Sequence, residues 1–214
     1  MKKGRVIIGF SAPFVGLYGC EGGKVTFTKG MRLARGVDVS INPETADNND
    51  FYADNIVAES EGGKFKSGTI KYTVDGLLDD AERFVFGLPE PEKMTVGDKT
   101  VNVIKYGNNA NPPYVGTGFV VAYQSGDVVT YQPIILPKVK FITHGTEAKT
   151  KEEQKDWQTQ ALEASICRDD TTNCDWKWMF EEQATEAEAI AILTAVLNVA
   201  DAAEPVKAQE GGNG

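Results

Sequence analysis

Val37-Asp38-Val39-Ser40-Ile41-Asn42 alternates strictly between apolar and polar residues, and Thr69-Ile70-Lys71-Tyr72-Thr73-Val74 repeats the pattern further along the chain. Successive side chains of a strand point to opposite faces, so each segment predicts a half-buried strand. In the first, Val37, Val39 and Ile41 share the covered face and Asp38, Ser40 and Asn42 point outward. In the second, Ile70, Tyr72 and Val74 lie inward and Thr69, Lys71 and Thr73 outward.

Outward from these two segments most of the chain reads in the same way. Phe14–Tyr18 and Lys24–Thr28 flank Gly19-Cys20-Glu21-Gly22-Gly23, a hairpin pattern in which glycines supply positive φ. Further strand candidates are Val101–Tyr106, Val115–Tyr123, Val128–Leu136, Lys138–Ile142, Gln158–Arg168 and Asp175–Phe180, rich in β-branched and aromatic residues. Two helices interrupt them. Leu77–Val85 places Leu77, Leu78, Ala81, Phe84 and Val85 on one face, with Gly87 and Pro89 as stop signals. Thr185-Glu186-Ala187-Glu188 is a capping box, and Ala189–Ala200 follows with only Thr194 and Asn198 polar, carrying a helix to about residue 203. A helix that is apolar almost all round is buried, in its own subunit or against a neighbour. The fold class is therefore mainly β with a flanking α-helix, as one domain over 1–204. Residues 205–214 hold too little apolar matter to pack and are expected to form a flexible tail.

With 214 residues, 41% of them hydrophobic, the chain can bury a sizeable core. Thirty-one acids against 22 bases leave a net charge of -9, the wrong sign for a surface that grips phosphates. Met1-Lys2-Lys3 is not followed by a continuous apolar segment, so no secretory leader is expected. Ala189–Ala200, the longest apolar stretch, is too short for a membrane span. Cys20, Cys167 and Cys174 are odd in number and at non-motif spacings, which suits a reducing compartment. Cys167 and Cys174 flank a turn-like segment, leaving a cross-hairpin disulfide and plain buried thiols as the two readings.

Charge is also segregated. Before Val37 the bases Lys2, Lys3, Arg5, Lys24, Lys29, Arg32 and Arg35 face Glu21 alone, whereas Val37 to Gly63 carries seven acids and no base. Most of those acids sit in an unusually long connection, Pro43–Phe65, with Glu44, Asp47, Asp50, Asp54, Glu59 and Glu61 around Phe51, Tyr52, Ile56 and Val57. One reading is a loop that orders on a partner; the other is a hairpin extension packed on its own sheet. If basic and acidic segments occupy opposite ends, copies attract head to tail, a heterologous contact that generates filaments; a solvated mixed surface is the plainer alternative.

No constellation for catalysis, cofactor or metal emerges. His144 is the only histidine and has no cysteine or carboxylate at relay spacing, and no G-x-S-x-G is present. Gly22-Gly23-Lys24-Val25 and Gly116-Thr117-Gly118 lack the spacing of phosphate-binding loops. Asp47-Asn48-Asn49-Asp50 is followed by Phe51 and Tyr52 where a calcium loop needs a ligand and a glycine. Trp176-Lys177-Trp178 has the interleaving of a base-stacking platform, but Asp169, Asp170, Asp175, Glu181 and Glu182 surround it, which favours core or interface tryptophans.

Four segments together resemble the major tail proteins of long-tailed bacteriophages, the phi13-type group: Gly30–Ser40, Asn49–Asn55, Tyr72–Leu78, and Asp156–Gln160 followed by Asp175–Trp178. The likeness runs from about Gly9 to Leu197. It implies a structural virion protein without enzymatic activity or cofactor, a β-sandwich whose inner sheet joins a ring-wide β-barrel in the oligomer. Hexameric rings stack into the tail tube, with the tape-measure protein and the tail-end proteins as partners, and genomic DNA passes through without tight binding. The fold is shared with contractile tails. In these terms Glu44, Asp47, Asp50, Phe51, Tyr52 and Asp54 belong to a ring-stacking loop, with Lys29, Arg32 and Arg35 as its basic complement. Asp38, Ser40, Asn42, Thr69, Lys71 and Thr73 become candidates for the channel lining. A monomeric β-sandwich binding module, carbohydrate-binding or adhesin-like, is the alternative from another class.

Overall fold

The computed structural model describes residues 4–47, 49–53, 56–142, 145 and 158–200, the segments 49–53 and 56–61 as backbone only. Its elements follow in the order β1 (Val6–Glu21), β2 (Lys24–Arg32), β3 (Ala34–Thr45), β4 (Asn49–Ala53), β5 (Ile56–Glu61), β6 (Phe65–Leu77), α1 (Asp79–Phe86), β7 (Glu92–Val96), β8 (Lys99–Val103), β9 (Val115–Ser125), β10 (Val128–Ile142), β11 (Gln160–Ile166), β12 (Trp178–Met179) and α2 (Glu186–Val196). The fold is mainly β with helices beside the sheet. One sheet runs β2-β1-β9-β10-β11-β6-β3, with β12 also paired to β10, and every pairing in it is antiparallel. β4–β5 and β7–β8 are separate two-stranded hairpins.

The sheet turns back on itself at β10. That strand pairs with β9 from Val128 to Val139 and with β11 from Val139 to Ile142, and the register shifts between Leu136 and Val139, around Pro137. Proline has no N–H for the ladder and is tolerated where a bulge interrupts it. The core fills the space so enclosed. Phe10 of β1 lies against Tyr72 of β6, centroids 6.1 Å apart, and against Phe119 of β9 at 5.7 Å, while Tyr72 and Phe119 meet edge-on at 6.0 Å. A side chain at Gly36 would put its Cβ 2.1 Å from the Phe10 ring, so β3 approaches β1 this closely only because residue 36 has none.

Polar atoms in this core are paired in series. The Thr117 hydroxyl donates to the Phe14 carbonyl at 3.1 Å, which leaves Tyr72 to donate to the Thr117 oxygen at 2.8 Å, so β6, β9 and β1 are joined through one chain of hydrogen bonds. Full burial pushes the Tyr72 phenol pKa up, because the phenolate has no water to stabilise it. β9 is buried from Val115 to Val121: Phe119 and Val121 face this core, and Val120 faces the cluster under α2. A strand covered on both faces reads as a continuous apolar run.

Local expectations hold at several points. The β1–β2 hairpin turns on Gly22 and Gly23, with φ of 58° and 75°. Ile70, Tyr72 and Val74 are buried. The capping box forms, Glu188 N–H donating to Thr185 Oγ1 at 3.3 Å and Thr185 N–H to Glu188 Oε2 at 3.1 Å. Trp176 stacks flat on Phe65 at 4.5 Å and Trp178 meets Phe27 at 6.0 Å, in two different apolar clusters. The three cysteines are free thiols but not buried ones as expected: Cys20 and Cys167 are half-buried and Cys174 is exposed.

Other expectations are corrected. Val37 is not covered: the ladder pairs Gly36 with Val74 and Asp38 with Thr73, so Val37 is the extra residue of a bulge and stands 56% exposed. Pro43–Phe65 is not an open loop; β3 continues to Thr45, β6 begins at Phe65, and β4 pairs with β5 between them. α1 starts at Asp79 rather than Leu77, because Leu77 is held opposite Ala34 in the ladder, and Leu78 is exposed. α2 ends at Val196, short of residue 203. Asn198 adopts a left-handed φ of 54° and Val199 N–H returns to the Thr194 carbonyl at 2.9 Å, which closes the helix. Only Ala189, Leu193 and Thr194 are buried on α2, with Leu197 just past its end, while Ile190, Ile192 and Val196 are half-buried. The strand read at 175–180 is reduced to Trp178–Met179. Asp54, His144, Trp157 and the tail 205–214 lie outside the described residues.

Candidate assembly surfaces

The six alternating polar residues meet on one face. In the β3–β6 ladder Asp38 lies opposite Thr73, Ser40 opposite Lys71 and Asn42 opposite Thr69. Directly opposed residues of an antiparallel pair share a face, so the three pairs make one polar strip. The next strand extends it: Ala161, Glu163 and Ser165 of β11 lie opposite Thr73, Lys71 and Thr69. Beyond them Lys140 of β10 is opposite Ser165 and Ile142 opposite Glu163. The strip thus carries Asp38 and Glu163 against Lys71 and Lys140, and Lys71 Nζ stands 3.1 Å from Glu163 Oε2. Glu163, Ser165 and Lys140 were missed in the sequence reading; the signal was the alternation in β11, where Leu162, Ala164 and Ile166 are buried.

Both ends of β3 carry charge. Arg35 is beside its start and the acidic hairpin leaves from its end at Thr45, which a strand rise of ~3.3 Å per residue puts roughly 33 Å apart. Of the acidic residues there, Glu44 accepts a hydrogen bond from Ser67 Oγ at 2.7 Å and Asp47 is exposed. The side chains of Asp50, Phe51 and Tyr52 lie outside the described residues. At the opposite end Arg35 is already held by Asp75, through both its N–H and Nε. Arg32 Nε donates to the Ala34 carbonyl at 3.3 Å, and Lys29 is exposed in a left-handed conformation, φ 53°. The acidic first turn of α1, Asp79, Asp80 and Glu82, follows β6 to this same end, so the basic complement is partly neutralised within the chain.

Two of the open strand edges among the described residues border one groove. β3 is the last strand of its sheet, and β2 pairs with β1 only from Phe14 onward, which leaves Val6, Ile7 and Ile8 at 64%, 64% and 50% exposure without a neighbour on that side. Between these edges lies a groove of about 370 Å3, lined chiefly by apolar side chains and by half-buried Lys177. Burial lowers the Lys177 pKa, since an apolar wall disfavours the ammonium.

A second charged cluster ties the sheet to the segment after β11. Lys138 Nζ pairs with Asp170 Oδ1 at 2.6 Å and lies over the rings of Tyr18 and Tyr114, and Tyr18 donates to Asp170 Oδ2 at 3.0 Å. The Lys138 hydrogen bond holds the Asp170 carboxyl below its ordinary value. Asp169 beside it is buried and caps the turn, accepting from Thr171 N–H, Thr171 Oγ1 and Asp175 N–H. These contacts are structural. Among the described residues no three metal-ligating side chains gather at one point.

No protein-family model matches the sequence, and no curated protein matches it.

Proposed function

We propose that this chain is a tail-tube subunit of a long-tailed bacteriophage, of the phi13-type group that its sequence resembles. In this reading the curled sheet acts as a β-sandwich, and the layer β10-β11-β6-β3 is its inner sheet. Six copies join these layers edge to edge into one barrel, the rings stack head to tail, and genomic DNA passes along the tube within the virion. The tape-measure protein and the tail-end proteins are its further partners.

The observation that carries the reading is the polar strip on that layer: three directly opposed pairs, Asp38–Thr73, Ser40–Lys71 and Asn42–Thr69, next to an end strand with an unpaired edge. An exposed strand edge is a template for pairing with another chain, and closure into a barrel removes it. The strip balances Asp38 and Glu163 against Lys71 and Lys140. Retention on DNA comes from clustered cations that release condensed counterions, so a balanced wall conducts DNA without gripping it.

Electron microscopy of the concentrated protein tests this reading, which expects rings or tubes. A uniform monomer at every concentration, including at low salt, would overturn it in favour of a single-copy binding module. Joint reversal of Asp47, Asp50 and Asp54 to Lys is expected to leave the circular dichroism unchanged and to stop ring stacking. Normal tubes from that variant would remove the acidic hairpin from the stacking contact.

A further inference from the structure

Among the described residues two features lack a covering partner, and they are complementary. The first is the β7–β8 hairpin. Its strands pair Met94 with Val101 and Val96 with Lys99, so Met94, Val96 and Val101 share one face, at 40%, 60% and 45% exposure, with Lys99 on the same face at its tip end. A two-stranded hairpin is marginal on its own in water, and an apolar face of this kind is stable when something covers it. At its tip, the turn Gly97-Asp98 presents Asp98, exposed and without an ion-pair or hydrogen-bond partner among the described residues.

The second is the groove between the open edges of β1 and β3. Ile7, Phe10, Val37, Val39 and Val121 line it, and Lys177 stands in its wall. The Lys177 ammonium lies 6.0 Å from the ring centre of Trp176, and no carboxylate comes within ion-pair distance among the described residues. Asp38 also borders the groove but does not reach Lys177. A cation half-buried among apolar side chains is stabilised by an acidic partner that arrives with its own apolar surroundings.

We infer that the β7–β8 hairpin of one copy seats its Met94–Val96–Val101 face in the β1–β3 groove of a neighbouring copy, with Asp98 pairing to Lys177 of that neighbour. The contact is heterologous, hairpin to groove, so successive copies close into a ring or extend as a filament. Charge fixes the register of insertion and the apolar face supplies the buried area. The inference takes from the tail-tube reading only that copies of the chain associate; it names a lateral contact distinct from the joined inner sheets.

The test uses the full-length chain, half of it 15N-labelled, treated with a zero-length carbodiimide cross-linker. The expected product is an Asp98–Lys177 linked peptide of mixed isotope composition. Asp98→Lys and Lys177→Glu are each expected to lower cross-linked oligomer at least tenfold with unchanged circular dichroism, and the double variant is expected to recover it. Rings or tubes that form without the mixed-isotope link, single variants that associate like the parent, or a double variant no better than the singles would each overturn the contact while leaving the tube reading intact. A mixed-isotope link in small oligomers that never build tubes would support the contact and overturn the tube reading. A chain that stays monomeric throughout would overturn both.

Discussion

The inward face of β6 and the apolar face of β7–β8 are built from the same kind of residue in the same alternating pattern, and the chain treats them oppositely. Ile70, Tyr72 and Val74 are buried against strands from three parts of the sequence, and the one hydroxyl among them is paired. Met94, Val96 and Val101 stand in the open on two short strands that pair only with each other. Burial of apolar area is what offsets the entropy of ordering a strand. The first face therefore holds this chain together, and the second is left open for the contact proposed above.

The comparison breaks first at Tyr72. Tyr72→Ala is expected to cost about 3–5 kcal/mol, as for other large aromatic truncations in a packed core, read from the denaturant midpoint. A loss under 1 kcal/mol would mean that the β6–β9 core contributes little. Tyr72→Phe keeps the ring and removes only the donor to Thr117, so it is expected to cost about 1 kcal/mol. On the polar strip, Glu163→Gln breaks an exposed pair with Lys71, and the same melt is expected to shift by less than about 1 kcal/mol. Smallest of all for the isolated subunit, Met94→Thr and Val101→Thr are each expected to change stability by no more than about 0.5 kcal/mol. If either unfolds the monomer, the hairpin face belongs to the subunit's own core and the contrast fails.

Much of the fold was legible because its signals are short-range. Ile70, Tyr72 and Val74 follow from a period of two, the turn at Gly22-Gly23 from positive φ, and the start of α2 from Thr185 and Glu188 three residues apart. The polar strip was legible in its composition on β3 and β6 but not in its extent. Nothing local to Glu163 says that it faces Lys71, since that pairing joins β11 to β6 across 92 positions of sequence. The exposure of Val37 was hidden for a similar reason: it stands at a bulge in the β3–β6 ladder, beside Gly36, which lies against the Phe10 ring of another strand. The β7 strand was missed because Glu92-Lys93-Met94-Thr95-Val96 is short and half polar, and it is ordered by its partner β8.

Charge gives the sharpest division between the two kinds of information. The sequence by itself determined the excess of acid, its concentration after Val37, and the alternation that sorts polar from apolar side chains, because these depend on residue identity and on neighbours a few positions away. Only the tertiary structure decided that Arg35 is held by Asp75, 40 residues on, that Tyr72 reaches Thr117, 45 residues on, and that Lys177 stands in a mostly apolar groove with no carboxylate of the described residues within ion-pair distance. Those outcomes rest on which strands lie side by side once the sheet closes at β10. Contact energies between distant residues act only after the closure entropy of the intervening chain has been met, and no local pattern records them.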